Sequence, residues 1–155
     1  MKSVWFYDSP VGTIGIAEEN GALTHVCLNG NKHLESFENI ETPLLKKAAL
    51  QLTEYFNGSR SVFDVPMSPH GTDFQLAVWR SLQSIPIGAT RSYQDIAIQI
   101  GNPKASRAIG MANKYNPILI IIPCHRIIGS NNNLTGYIGG LSAKKYLLDL
   151  EKKYV

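Results

Sequence analysis

The sequence predicts an α+β protein: a small antiparallel sheet with one helix in its first part, and a mainly helical second part. Three observations predict it. Asn20-Gly21 separates two β-rich segments, and Asn-Gly is a strong hairpin signal. Apolar residues recur at helical spacing behind capping residues, from position 42 and again from position 72. Between these, residues 66–71 read Pro-Met-Ser-Pro-His-Gly, and neither a helix nor a central strand accepts two prolines and a glycine so close together. The expected organisation is a sheet-bearing domain over 1–65, a linker over 66–71 and a second domain over 72–155.

In chain order, Ser9-Pro10-Val11-Gly12 supplies a first turn, and strands are expected over 13–17 and 23–28. Thr42 suits an N-cap and Pro43 the first helical position. Leu45, Ala48, Ala49, Leu52 and Phe56 then fall on one face, and Asn57-Gly58 stops the helix. Another short strand is expected over 61–65. Thr72 and Gln75 form a capping box for a helix to about residue 84, with Phe74, Ala77, Val78 and Leu82 inward. Ile85-Pro86-Ile87-Gly88 breaks it. Ser92 caps a short helix over 93–100, Gly101 ends it, and Asn102-Pro103 opens another to about residue 115. Two helices joined by a tight glycine turn are a helix-turn-helix pattern. Residues 117–123 bracket five aliphatic residues between prolines, a buried extended segment. A glycine-rich loop covers 129–140 and includes the tract Asn131-Asn132-Asn133. Ser142 is expected to cap a last helix with Ala143, Tyr146, Leu147 and Leu150 inward.

The 155 residues are 44% hydrophobic and 17% charged, with a net charge of +3, an ordinary globular composition rather than that of a disordered chain. The longest aliphatic run covers 118–122, far short of a membrane span. The first residues lack a signal peptide's apolar stretch and cleavage site. A reducing intracellular setting, the cytoplasm of a prokaryote, is therefore expected, with Cys27 and Cys124 as thiols.

The residues with most chemistry are Pro123-Cys124-His125-Arg126. A cysteine is a nucleophile as thiolate, which a nearby base or positive charge favours. Adjacent residues on a strand point to opposite faces, so Cys124 and His125 can cooperate only if the backbone turns or a water bridges them. The tetrapeptide alone fits a buried structural cysteine as well as a nucleophile. In the helix after Asn102, Ala105, Ala108, Ile109 and Ala112 share one face. Lys104, Arg107, Met111 and Lys114 share roughly the opposite one, with small Ser106 and Gly110 between. This face can reach phosphates, but on its own it more often marks an ordinary solvated surface. Tyr93 fits a half-buried aromatic and Glu151 a surface carboxylate. His25, Cys27, His33 and His70 match no zinc spacing, and no phosphate-binding or dinucleotide fingerprint is present.

Taken together, several segments resemble the methylated-DNA–protein-cysteine methyltransferases. They are Arg91-Ser92-Tyr93-Gln94, the run from Gly101 to Gly110, Asn116-Pro117, Pro123-Cys124-His125-Arg126-Ile127-Ile128, Gly136-Tyr137-Ile138-Gly139-Gly140-Leu141, Lys144 and Glu151. The resemblance is dense over 71–151 and weaker before it. It implies single-use transfer of an alkyl group from O6 of guanine in double-stranded DNA to Cys124, by a monomer needing no cofactor and no metal. His125 would take the thiol proton through a water and Glu151 would orient His125. Asn116 would brace the turn, and Tyr93 would donate to the leaving guanine. Arg107 would insert into the base stack, with Lys104, Ala105, Ser106, Gly110 and Lys114 on the DNA. Tyr137, Ile138, Gly139, Gly140 and Lys144 would wall the lesion pocket. Ile138 departs from the small or polar residue usual there, which implies a more apolar wall. A lesion-binding module without transfer and a cysteine hydrolase are the competing classes. The acceptor cysteine argues against the first, and turnover would mark the second.

Overall fold

The computed structural model describes residues 1–29, 34–129 and 136–154. His33 and the tract Asn131-Asn132-Asn133 lie outside them. The chain divides into two compact units, one of Met1–His70 with Pro117–Leu119, the other of Gly71–Asn116 with Ile120–Val155.

The first unit holds strands β1 (Lys2–Ser9), β2 (Gly12–Glu19), β3 (Ala22–Leu28) and β4 (Glu38–Asn39), in the order β3-β2-β1-β4. The β1–β2 and β2–β3 pairs are antiparallel, and β4 joins β1 in parallel. The Asn20-Gly21 turn lies between β2 and β3, both residues at positive φ, as a tight hairpin turn requires. Helix α1 (Pro43–Phe56) starts at Thr42, whose hydroxyl accepts from the Leu45 amide. Its buried face is Leu45, Ala48, Gln51, Leu52 and Tyr55; Ala49 and Phe56, expected inward, are only half-buried. The strand expected over 61–65 is absent. Residues 62–66 carry no regular structure. Gln51, reaching from α1, instead hydrogen-bonds Asp64 at both its backbone and its side chain, which takes this segment out of any ladder. Met67 forms only an isolated bridge with Leu23.

The second unit holds α2 (Asp73–Leu82), β5 (Arg91–Ser92), α3 (Tyr93–Gln99), α4 (Ser106–Lys114), β6 (Ile127–Ile128) and α5 (Leu141–Lys152). The capping boxes at Thr72 and Ser92 are both formed. The Trp79 indole donates to the Ala112 carbonyl at 2.9 Å and ties α2 to α4. Three expectations need correction. Helix α4 begins at Ser106, because 102–105 close a separate turn through the Ala105 amide and the Asn102 carbonyl; it buries Ile109, Ala112 and Asn113 and leaves Ala108 exposed. Helix α5 begins at Leu141 behind Gly140 at φ 96°, with no side-chain cap; Ser142 already lies inside it, and Tyr146 is exposed. Residues 118–122 are buried as expected but turn rather than extend, with Ile120 at φ 70°. A β-branched residue there costs of order 1–3 kcal/mol.

Among the described residues, no helix is long and apolar enough to cross a membrane.

Candidate active site on the helix-turn-helix unit

The turn at Ile120 delivers the chain to Pro123, after which Cys124–Arg126 form one turn of 3₁₀ helix. Three residues per turn fan successive side chains about 120° apart instead of the 180° of a strand. The turn therefore lacks the opposed-face geometry that a strand would impose on Cys124 and His125, without itself bringing the two side chains into contact. All three side chains are buried. Asn116, just after α4, donates to the Ile122 carbonyl at 2.8 Å and also hydrogen-bonds the Cys124 thiol. Asn113, from the inner face of α4, donates to the Cys124 carbonyl at 3.3 Å. Two amides thus hold the turn from α4 and its end.

Glu151 is buried, not on the surface. It stands two turns after Lys144 on the inner face of α5, with Ala143 and Leu147. Its carboxylate lies 2.6 Å from His125 Nε2 and accepts from Arg126 Nε at 2.7 Å and Nη2 at 3.1 Å. Arg126 Nη1 donates to the Ile85 carbonyl at 2.6 Å. Burial alone would raise the Glu151 carboxyl, but His125 and Arg126 outweigh it and hold the group at about 2. An ionised carboxylate only accepts, so Nε2 carries the imidazole proton and Nδ1 presents a lone pair. Nδ1 is buried without a hydrogen-bond partner among the described residues. Burial lowers the His125 pKa, helped by the charges of Arg126 and Lys144 and opposed by Glu151. The ring is a neutral base facing away from its orienting carboxylate.

The thiol is a weak acid at rest. Burial pushes Cys124 up to about 11, against the lowering pull of Asn116 and of the Lys144 charge. Lys144 is fully buried and donates to the Ile127 carbonyl at 2.5 Å.

A cavity of about 420 Å³ lies in the same unit, lined by Tyr93, Gly110, Asn113, Lys114, Gly136, Tyr137 and Ile138. Pairing of β5 with β6 (Arg91↔Ile127, Ser92↔Ile128) ties the start of α3 to the segment after the cysteine turn, which sets Tyr93 at the cavity. Tyr137 meets the His125 ring edge-on, with centroids 6.4 Å apart. Its hydroxyl is buried without a hydrogen-bond partner among the described residues, and burial raises its pKa, aided by Cys124 and Glu151. Of the residues expected to wall the pocket, Tyr137 and Ile138 line the cavity. Gly139 and Gly140 are not among the lining residues, and Lys144 is packed against the backbone after the cysteine.

Arg107, Lys104 and Lys114 are exposed on or beside α4. Ala105 and Ser106 are half-buried at its start. Ser106 donates to Gln94 at 2.9 Å, and Gln94 donates to the Pro103 carbonyl at 3.0 Å, which pins the inter-helix turn. Gly101 at φ 79° makes that turn possible. Gly110 leaves space beside Tyr93, whose ring a Cβ there would meet at 3.7 Å. Sequence reasoning missed Asn113 and offered Arg126 only as a nearby charge that favours a thiolate, not as the partner of Glu151. The first is legible as the next inward position after Ile109 at helical spacing. Nothing local in the sequence reveals the second, because its partners Glu151 and Ile85 are remote.

His25 and Cys27 lie on β3, where His25 Nδ1 hydrogen-bonds Thr24 Oγ1 at 2.9 Å. His70 is exposed. Among the described residues, no group of three or more His, Cys, Asp or Glu could hold a metal ion.

Comparison with known proteins gives concordant matches over both parts of the chain. Residues 73–153 match the family model "6-O-methylguanine DNA methyltransferase, DNA binding domain", and 4–69 match its ribonuclease-like domain. A methylated-DNA–protein-cysteine methyltransferase of Methanosarcina acetivorans is 49% identical over 150 residues, covering 94% of this chain and 95% of its own. The constitutive enzyme of that name from Bacillus subtilis is 45% identical over 152 residues, covering 94% and 92%. The crystal structure of Mycobacterium tuberculosis OGT in complex with DNA superposes with a TM-score of 0.92 at 44% identity, covering 98% of this chain and 94% of that one.

Proposed function

Because the chain belongs to the 6-O-methylguanine DNA methyltransferase family, we propose that it repairs duplex DNA by taking the alkyl group of O6-alkylguanine onto its own Cys124, once per molecule. The observation that supports this reading is the buried turn Cys124–Arg126, in which the residue after the thiol is a neutral imidazole already oriented by Glu151. It stands in one unit with a cavity and a helix-turn-helix.

The exposed cations Lys104, Arg107 and Lys114 offset phosphate charge. Ala105, Ser106 and Gly110 are small enough for α4 to approach a groove about 6 Å wide. Arg107 occupies the stack vacated by the target nucleotide, and the flipped base enters the cavity between Tyr93 and the Tyr137–Ile138 wall. Flipping costs a few kcal/mol, offset by these contacts. It is also the route by which a base reaches a buried thiol.

Transfer is an in-line displacement. The Cys124 sulfur forms a bond to the alkyl carbon as the carbon–O6 bond breaks, and that electron pair leaves with guanine. The thiol proton passes to His125 Nδ1 through a bridging water. Glu151 balances the imidazolium charge that forms, as in a Ser-His-Asp triad, and Arg126 keeps Glu151 ionised. Lys144 favours the thiolate, and Asn116 holds the turn. Tyr93 donates toward the departing base, which gains overall the one proton the thiol has lost. The product is a thioether, which thiol exchange does not reverse, so no turnover follows. The setting is the reducing cytoplasm of a prokaryote, where DNA is kept and thiols stay reduced.

The test is peptide mass spectrometry after mixing the protein with duplex DNA bearing one O6-methylguanine. One methyl on the Cys124 peptide, saturating at one per molecule, is expected. DNA binding without added mass would leave a lesion-binding module, and repeated product release would indicate a hydrolase.

A further inference from the structure

Ile138 is an isoleucine more than half exposed, at 57%, on the wall of the cavity. It follows Tyr137, whose ring meets His125. The remaining wall contains two glycines. Among the described residues, a Cβ on Gly136 would meet nothing within 4 Å, and one on Gly110 only the Tyr93 ring. The cavity of about 420 Å³ therefore combines spare room with one branched aliphatic surface that solvent still covers. A methyl group uses little of either. A longer apolar substituent fills room that the glycines leave open and takes the exposed isoleucine surface out of water.

Resting on the alkyl-transfer reading above, we propose that Ile138 is a specificity-determining residue that biases the site toward unbranched alkyl groups longer than methyl, such as propyl and butyl. Bond making and breaking are unchanged: the sulfur–carbon bond forms, the carbon–O6 bond breaks, and guanine leaves with the electron pair and regains the thiol's proton. What changes is the apolar area buried as the substituent settles, worth about four-fold in rate for each fully buried methylene. Longer chains react more slowly by displacement in any setting. The informative quantity is therefore the ratio of rates on two substrates, compared between variants, because the intrinsic chemistry cancels.

Single-turnover rates on duplexes differing only in the O6 substituent (methyl, ethyl, propyl, butyl) test this in the intact protein, Ile138→Ser and Ile138→Leu. The butyl-to-methyl ratio is expected to fall roughly ten-fold in Ile138→Ser, the equivalent of somewhat under two fully buried methylenes because one side chain covers only part of the butyl group, and to stay near the starting value in Ile138→Leu. The loss should grow with chain length. Melting curves check that each variant is folded, and Leu keeps apolar area if Ser disturbs the loop. An unchanged ratio in Ile138→Ser, whether from equal losses on all four duplexes or from no loss, would overturn the proposal. Absence of methyl on Cys124 in the unaltered protein would instead sink the alkyl-transfer reading itself, a separate and visible failure.

Discussion

Cys27 and Cys124 are both buried thiols, yet their surroundings differ in kind. Cys27 sits on regular strand β3, opposite Gly15, in a cluster with Val4, Ala17 and Leu34. Cys124 sits on a single 3₁₀ turn, with the amide of Asn113 on its carbonyl, that of Asn116 on its thiol and the charge of buried Lys144 within reach. Depth of burial is shared, so it does not separate the two. What marks Cys124 is the set of amides and the charge around it, and it stands on a backbone irregularity: a strand sends neighbouring side chains to opposite faces, whereas the 3₁₀ turn does not.

The largest effect expected from this contrast is on transfer. Cys124→Ser should lower single-turnover methyl transfer by more than roughly 10³-fold, since a neutral hydroxyl is a far poorer nucleophile than a thiolate. Cys27→Ala should leave transfer within about two-fold and cost about 1 kcal/mol of stability, as a modest core truncation does. A methyl found on the Cys27 peptide would reverse the assignment. Next in size is the orienting carboxylate. Glu151→Gln should slow transfer roughly 10²-fold, the lower range for loss of a positioned base, while rates of DNA association stay similar. An unchanged transfer rate would reduce the His125–Glu151 contact to packing.

How far the sequence reveals this depends on whether the cause is local. The hairpin at Asn20-Gly21, the α1 cap at Thr42 and the capping boxes at Thr72 and Ser92 are set by neighbours in the chain, and all are legible. The strand Lys2–Ser9 is not, because Trp5, Phe6 and Tyr7 in succession erase the period-two pattern. The start of α5 at Leu141 misleads because a serine one residue later invites a cap that Gly140 makes unnecessary. At the candidate site, Cys124 and His125 stand out by composition alone. Glu151 reads as a surface carboxylate until α5 is placed, since its burial depends on Arg126 and His125, about 25 positions away. Arg126 is the converse: conspicuous in sequence, with a role that only three-dimensional pairing assigns.

The smallest effect expected is on acid stability, and its sign follows from the same cluster. The Glu151 carboxyl falls from its usual 4.5 to about 2 in the fold, so its ionisation favours the folded state. That contribution is complete above about pH 4.5 and is lost as pH falls toward 2. His125, buried and neutral with a lowered pKa, adds a separate loss that begins as pH drops below about 6.5, where the unfolded chain takes up a proton and the folded one resists. Asp64 and Asp149 are also held low, chiefly by hydrogen bonds from Gln51 and Lys145, but both are solvent-exposed and salt-screened, so they contribute little. Urea midpoints measured from pH 8 to pH 3 should therefore decline in two steps. In Glu151→Gln the step below pH 4.5 should largely disappear, from a lower starting stability, because an amide cannot neutralise the buried Arg126. An unchanged acid slope in that variant would mean that Arg126 and His125 do not hold Glu151 ionised, and the contrast with the apolar surroundings of Cys27 would lose its electrostatic half.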